Sequence, residues 1–279
     1  MIGDPQVHPP RTRPFAISLA QGIMAFLLLA AGGAQAQTLD LSRFKLVFDE
    51  DFKNLSVSAQ GPGTRWTAHT PWGGDFGDAQ FVNPGPGFPF SVADGVGRIE
   101  LRKAPDGHWQ SGLLSTVDPA REGFTLQYGY FEMRAKLPAG PGVWPAFWLD
   151  SWIPPESTDP SIEIDVIEQY GKFPAAFNSS VTVWPKAGNG GQRSQMKINT
   201  VPAGSMSQAF HSYGVEVDPV SIVFYLDRTE IWRVSTPPDH RHGLMILVDL
   251  ALGGGWPIGQ TPDPSYMDID YIRAWAPAS

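Results

Sequence analysis

From Gln37 onward, short runs in which apolar and polar residues alternate, or apolar residues follow one another, recur along the chain. They include "KLVF" (Lys45 to Phe48), "GRIELR" (Gly97 to Arg102), "YGYFEMRAKL" (Tyr128 to Leu137), "SIEIDVIE" (Ser161 to Glu168) and "SSVTVW" (Ser179 to Trp184). Further along come "HSYGVEV" (His211 to Val217), "SIVFYLD" (Ser221 to Asp227), "TEIWRV" (Thr229 to Val234), "GLMILVDLAL" (Gly243 to Leu252) and "MDIDYIRAWA" (Met267 to Ala276). Gly, Pro, Asn and Asp separate nearly all of them. Many short strands between frequent turn signals predict an all-β sandwich of two antiparallel sheets, or a jelly roll. Strands never alternate with helix-length segments, which argues against a parallel α/β sheet. No internal repeat, heptad or long linker divides residues 37–279, so they read as one β domain.

One run departs from ordinary strand composition. "SIEIDVIE" carries Glu163, Asp165 and Glu168 among β-forming residues. Side chains alternate along a strand, so Glu163 and Asp165 share a face while Ile162, Ile164 and Val166 point into the core. Strict alternation would bury Glu168 with those apolar residues, at a high cost for an unpaired carboxylate. One extra residue around Val166–Ile167, a β-bulge, returns Glu168 to the face of the other two acids. The Cα separation of Glu163 and Glu168 then shortens from ~16 Å to ~13 Å, and leaning side chains leave ~5–6 Å between the carboxyl groups. That spacing is near the ~5–5.5 Å at which one carboxylate attacks a sugar carbon while the other protonates the departing oxygen. Asp165 stands between them as a hydrogen-bonding helper. Three solvated acids on an amphipathic strand remain the alternative.

Composition narrows the field. The 279 residues contain no cysteine, which excludes disulfides, thiolate metal sites and a cysteine nucleophile. A net charge of -8 with no basic stripe argues against nucleic acid or an anionic membrane as partner. The 30 Gly, 27 Pro and 10 Trp suit long loops and exposed aromatic platforms. Residues 1–36 read separately: Arg11 and Arg13 precede an apolar run from Phe15 to Ala31, and "AQA" (Ala34 to Ala36) offers a small-residue cleavage site. This is the pattern of a secretory signal peptide, and no second apolar span follows it. The expectation is a secreted or periplasmic protein with no membrane contact after removal of the leader. Oligomeric state is not legible.

Glu163-Ile-Asp165-Val-Ile-Glu168 resembles the catalytic motif of glycoside hydrolase family sixteen, the laminarinase and lichenase group. "YGYFEMRAKLPAGPGVWPAFWL" (Tyr128 to Leu149), "FHSYGVEVDPVSIVFYLD" (Phe210 to Asp227) and "LALGGGWPIGQTPDPSYMDIDYIRAW" (Leu250 to Trp275) resemble further family blocks, in order. The resemblance implies a concave jelly roll with a substrate cleft across one sheet. It also implies Glu163 as nucleophile, Glu168 as acid/base and Asp165 as helper. The chain departs from the family at Thr182, where many relatives carry histidine beside the substrate, and at Val217, where tryptophan is common.

Aromatic platforms complement the apolar faces of sugar rings. By the resemblance Trp144 and Trp148 belong to the cleft, and Trp256, in a Gly-rich loop, is a third candidate; Trp66 and Trp109 read as core. Glu132 and Arg134, at i and i+2 on one strand, are candidates to pair beside the catalytic acids. Six histidines lack metal-ligand spacing, so no catalytic cofactor is expected. The resemblance implies a structural calcium, with Asp51 and Asp270 at the matching positions. The resulting expectation is a retaining endo-hydrolase of β-1,3- or mixed β-1,3/1,4-glucan. Alternatives are a succinoglycan-like exopolysaccharide or algal galactan as substrate, a transglycosylase, or a non-catalytic carbohydrate-binding protein.

Overall fold

The computed structural model describes residues 38–186 and 190–278; the leader expected over residues 1–36 lies outside them. Two sheets account for nearly all regular structure. The first runs, edge to edge, Thr229–Ser235, Ser221–Leu226, His211–Val217, Gly129–Lys136, Ser265–Pro277, Val96–Lys103, Trp109–Ser111 and Ala79–Phe81. Phe44–Glu50 pairs with Ser265–Pro277, and Phe90–Ala93 pairs with Val96–Lys103, to complete ten strands. The second has eight, in the order Arg193–Thr200, Ala176–Trp184, Ser161–Glu168, Val143–Ser151, Leu244–Leu252, Leu113–Ser115, Trp66–Thr67 and Val57–Ser58. Pairing is antiparallel except between Val57–Ser58 and Trp66–Thr67 and between Ala79–Phe81 and Trp109–Ser111. The only α-helix among the described residues is a single turn, Ser205–Gln208. The all-β expectation therefore holds, with mixed rather than purely antiparallel sheets.

Alternation decides which face each strand buries. Along Leu244–Leu252 every residue is buried, yet the two faces differ. Leu244, Ile246, Val248, Leu250 and Leu252 join the core between the sheets, together with Phe131, Met133, Val215 and Ile272 of the ten-stranded sheet. Met245, Leu247 and Ala251 point the other way, into a separate cluster with Ala146, Trp148 and Leu113. Burial of the inner face supplies the main stabilisation, each large aliphatic side chain contributing about 1.5–3 kcal/mol. Val217 is one of these core residues. The outer face of the eight-stranded sheet is where the three acids emerge.

Candidate active site

The strand Ser161–Glu168 loses its register where the sequence argument placed a bulge. Against one neighbour the pairs run Glu163↔Asp150, Asp165↔Trp148, then Ile167↔Phe147 and Glu168↔Ala146. Against the other they run Glu163↔Thr182, Asp165↔Ser180, then Glu168↔Asn178. Val166 and Ile167 are both buried in the inter-sheet core. Two successive side chains thus face inward, and Glu168 turns back outward. Its carboxyl accepts hydrogen bonds from Trp144 Nε1 at 3.1 Å and Tyr170 Oη at 2.7 Å, two groups of the outer face.

Register then arranges the outer face as three rows crossing the sheet, one per acid. Glu163 lies between Asp150 and Thr182, with Met245 beyond Asp150. Asp165 lies between Trp148 and Ser180, whose hydroxyl donates to Asp165 Oδ2. Glu168 lies between Ala146 and Asn178, with Asp249 beyond Ala146. Glu163 Oε2 accepts from Trp184 Nε1 at 3.2 Å. Thr182 is fully buried and bonded through its hydroxyl to Ser194 at 3.0 Å.

Two more carboxyl groups belong to this face, Asp150 and Asp249, and neither is among the site residues expected from the sequence. Asp249 is completely buried; its Oδ1 accepts from Trp148 Nε1 at 2.8 Å and its Oδ2 from the Ala251 amide at 3.2 Å. Burial pushes its carboxyl up to about 8, the two N–H donors opposing and the charges of Glu168 and Asp165 adding to the rise. Asp150 is pushed up to about 7, again chiefly by burial, against bonds from Ser161 and the Ser151 amide. Keeping these two neutral limits the negative charge that the three motif acids must tolerate.

The tryptophans divide. Trp144 stacks on Tyr170 with centroids 5.7 Å apart and also meets Phe76 at 5.6 Å. Trp148 is on the same face but buried, covered by Trp72 and Phe76, and forms the floor. Trp256 is exposed and leans edge-on against Phe173 and Tyr170, with Lys172 Nζ 4.3 Å from its ring centre. The glycines before it are needed there. Gly254 has φ +58, and a Cβ would stand 2.5 Å from the Tyr170 ring and 2.8 Å from that of Trp144. Trp66 and Trp109 are core, as expected. Tyr170 and Trp184 escaped the sequence reading, although each lies two residues beyond a position already on this face.

The remaining candidates lie elsewhere. Glu132 and Arg134 occupy the strand Gly129–Lys136 in the ten-stranded sheet, away from the acids, and do not pair with each other. Glu132 is fully buried and held by Arg228 through two bonds, by Tyr130 and by Tyr271. Arg134 pairs instead with Asp270. The i, i+2 spacing was read correctly, but sheet membership is set by distant pairing. The residues proposed for calcium are each engaged by a cationic side chain. Asp51 is taken by Lys53 at 2.6 Å and Asp270 by Arg134, and no metal-holding group of three His, Asp or Glu occurs among the described residues.

Comparison with known proteins agrees with this fold and motif. The model of "Glycosyl hydrolases family 16" matches residues 98–273. The endo-1,3-1,4-beta-glycanase EglC of Rhizobium meliloti (strain 1021) is 33% identical over 261 residues, 85% of this chain and 53% of EglC. The chain thus spans about half the length of that relative. The beta-glucanase of Rhodothermus marinus is 30% identical over 208 residues, 66% of this chain and 69% of the relative. Among solved structures, the laminarinase of Rhodothermus marinus superposes with a TM-score of 0.64 at 23% identity, covering 85% of this chain and 98% of that one. SCLam, a non-specific endo-beta-1,3(4)-glucanase, gives 0.67 at 23% identity, covering 88% and 96%. The ordered motif, the two-sheet fold and the family match over residues 98–273 converge: this chain belongs to glycosyl hydrolase family 16.

Proposed function

We propose that this protein is an exported, endo-acting glycoside hydrolase that cleaves β-1,3- or mixed β-1,3/1,4-glucan with retention of configuration. The observation that carries the proposal is the bulge at Val166–Ile167, which returns Glu168 to the face of Glu163 and Asp165. The linkage follows the endo-1,3-1,4-beta-glycanase of Rhizobium meliloti, and a β-glucan as substrate agrees with the beta-glucanase of Rhodothermus marinus. Export follows the leader pattern of residues 1–36.

In the proposed reaction Glu163 attacks the anomeric carbon while Glu168 gives its proton to the glycosidic oxygen, so the leaving chain departs as an alcohol. Glu168, now ionised, removes a proton from an incoming water. That water displaces Glu163 and restores both acids. Trp184 orients the nucleophile through its N–H, and Trp144 and Tyr170 fix the rotation of the acid by converging on one oxygen. Ser180 holds Asp165 against the floor between them. The Trp144–Tyr170 stack and Trp256 offer aromatic faces to sugar rings.

The test is Glu163→Gln, assayed on laminarin and lichenan by reducing ends, with the anomer first released followed by proton NMR. Loss of nearly all activity in a folded variant, and a β-anomer as first product of the parent, support the reading. Full activity in the variant, or an α-anomer, refutes it.

A further inference from the structure

Beside Glu163 the cleft opens into a cavity of about 390 Å³, lined by Asp150 and Trp184 and walled further by Trp72 and Trp152. Three indoles around one hollow suit sugar rings. What neutral sugars do not require is its pair of cations, Arg121 and Lys186. The chain as a whole carries -8, so two positive heads within one hollow stand against the general charge.

Both heads are held in place. Arg121 donates to the Ile153 carbonyl, while Trp152 Nε1 donates back to the Arg121 carbonyl at 2.9 Å. Arg121 reaches this position with φ +67, a left-handed conformation that non-glycine residues adopt at a cost. Lys186 Nζ, from the other side, donates to the Ser157 carbonyl at 2.5 Å. A guanidinium has five donors and an ammonium three, so each can hold its carbonyl and still present N–H groups to a ligand. The acids lining the hollow do not offset them. Asp159 is engaged by His242 at 2.8 Å and Arg241 at 3.3 Å, and burial keeps Asp150 largely protonated below about pH 7. Glu122, next to Arg121, lines a separate hollow with Asp118.

We infer that this cavity binds a carboxylate-bearing substituent on the glucan, with Arg121 and Lys186 as its specificity-determining residues. Any substituent that ends in a carboxylate presents the same group to the same two cations. This deepens the proposed function and rests on it: the backbone of the polymer is still a β-glucan crossing the acids, and the cavity selects among decorated chains. Association is favoured most at low salt, because both cations are solvent-facing.

The experiment measures binding apart from cleavage. Glu163→Gln protein is run in affinity electrophoresis through lichenan and through lichenan carboxymethylated at low density. The expected result is about fivefold tighter binding of the carboxymethylated polymer at low salt, lost at high salt. In the same background Arg121→Gln/Lys186→Gln should bring the ratio of the two dissociation constants to about one. Should that double variant misfold by circular dichroism, Lys186→Gln alone must still lower the ratio. A ratio of one or less in the parent, or an unaltered ratio in the charge variants, overturns the inference. Absence of reducing ends from every glucan with the unsubstituted protein refutes the functional reading instead, and the binding ratio is still measured.

Discussion

The carboxyl group of Asp249 connects burial to measurable stability. Its ordinary value is 3.8 and the folded protein pushes it up to about 8, so folding between those values takes up a proton. The sign follows from that. An acid raised in the folded state favours folding least where the unfolded chain is ionised and the folded one is not, so its contribution is lost as pH rises from about 4 and levels off above about 8. One proton corresponds to about 1.4 kcal/mol per pH unit, which amounts to ~4 kcal/mol between pH 4.5 and 8. Asp249→Asn removes the titration but keeps an oxygen for Trp148 Nε1. It also sets an amide N–H against the Ala251 N–H, a constant penalty of about 1–3 kcal/mol. The constant part cancels when the two proteins are compared across pH, as does the titration of Asp150, present in both. Urea unfolding of parent and variant at half-unit intervals from pH 4.5 to 8 should therefore show the variant gaining ~4 kcal/mol relative to the parent as pH rises. A difference that stays constant over this range would mean that Asp249 titrates as an ordinary carboxylate, and the argument from burial would be wrong.

Three further outcomes follow from the same structure. Deleting Ile167 removes the bulge and turns Glu168 into the inter-sheet core, so glucan hydrolysis should disappear and stability fall by about 3 kcal/mol or more, read by reducing ends and urea unfolding. Gly254→Ala forces a methyl against the Tyr170 and Trp144 rings at a left-handed position; kcat/KM on lichenan should drop about tenfold with a stability loss of about 1 kcal/mol, checked by kinetics and melting. Glu132→Ala strips the buried carboxylate from Arg228, Tyr130 and Tyr271 in the other sheet. It should cost about 3–5 kcal/mol of stability while kcat at low temperature stays near the parent value, separating its structural role from the cleft.

How much of this was readable in advance depends on how local each feature is. The acidic strand was legible because its information lies within eight residues: period-two alternation, one acid on the wrong parity, and one inserted residue as the remedy. His211–Val217 matched its alternating run in both bounds. Arg193–Thr200 did not, because its apolar residues point the unexpected way. Met196 and Ile198 pair opposite Ser180 and Asn178, on the outer face and largely exposed, while the partly polar opposite side includes Asn199 bonded to Ser179. A pattern read as "apolar means core" has nothing to find in such an edge strand.

The misplacement of Glu132 and Arg134 and the omission of Asp249 share a cause. Each partnership crosses strands distant in sequence: 96 residues from Arg228 to Glu132 and 101 from Asp249 to Trp148. Periodicity states which face a residue takes; it does not state which sheet, or which neighbour. One signal for Asp249 did exist. In "GLMILVDLAL" a single carboxylate sits among apolar residues of a run too apolar to be half-solvated. A carboxyl group buried there needs a donor, and its flanking residues are aliphatic, so the donor had to come from an adjacent strand. The polar-tipped side chain best suited to a buried face is tryptophan, and "VWPAFWLD" offers two of them, on the same parity. Trp148, at the row next to Ala146↔Asp249, is the one that answers. The same reasoning ties the catalytic floor to its support: the indole beside Asp165 is oriented by a buried, protonatable group on the same face, so the pH range over which the floor holds its shape is set by Asp249.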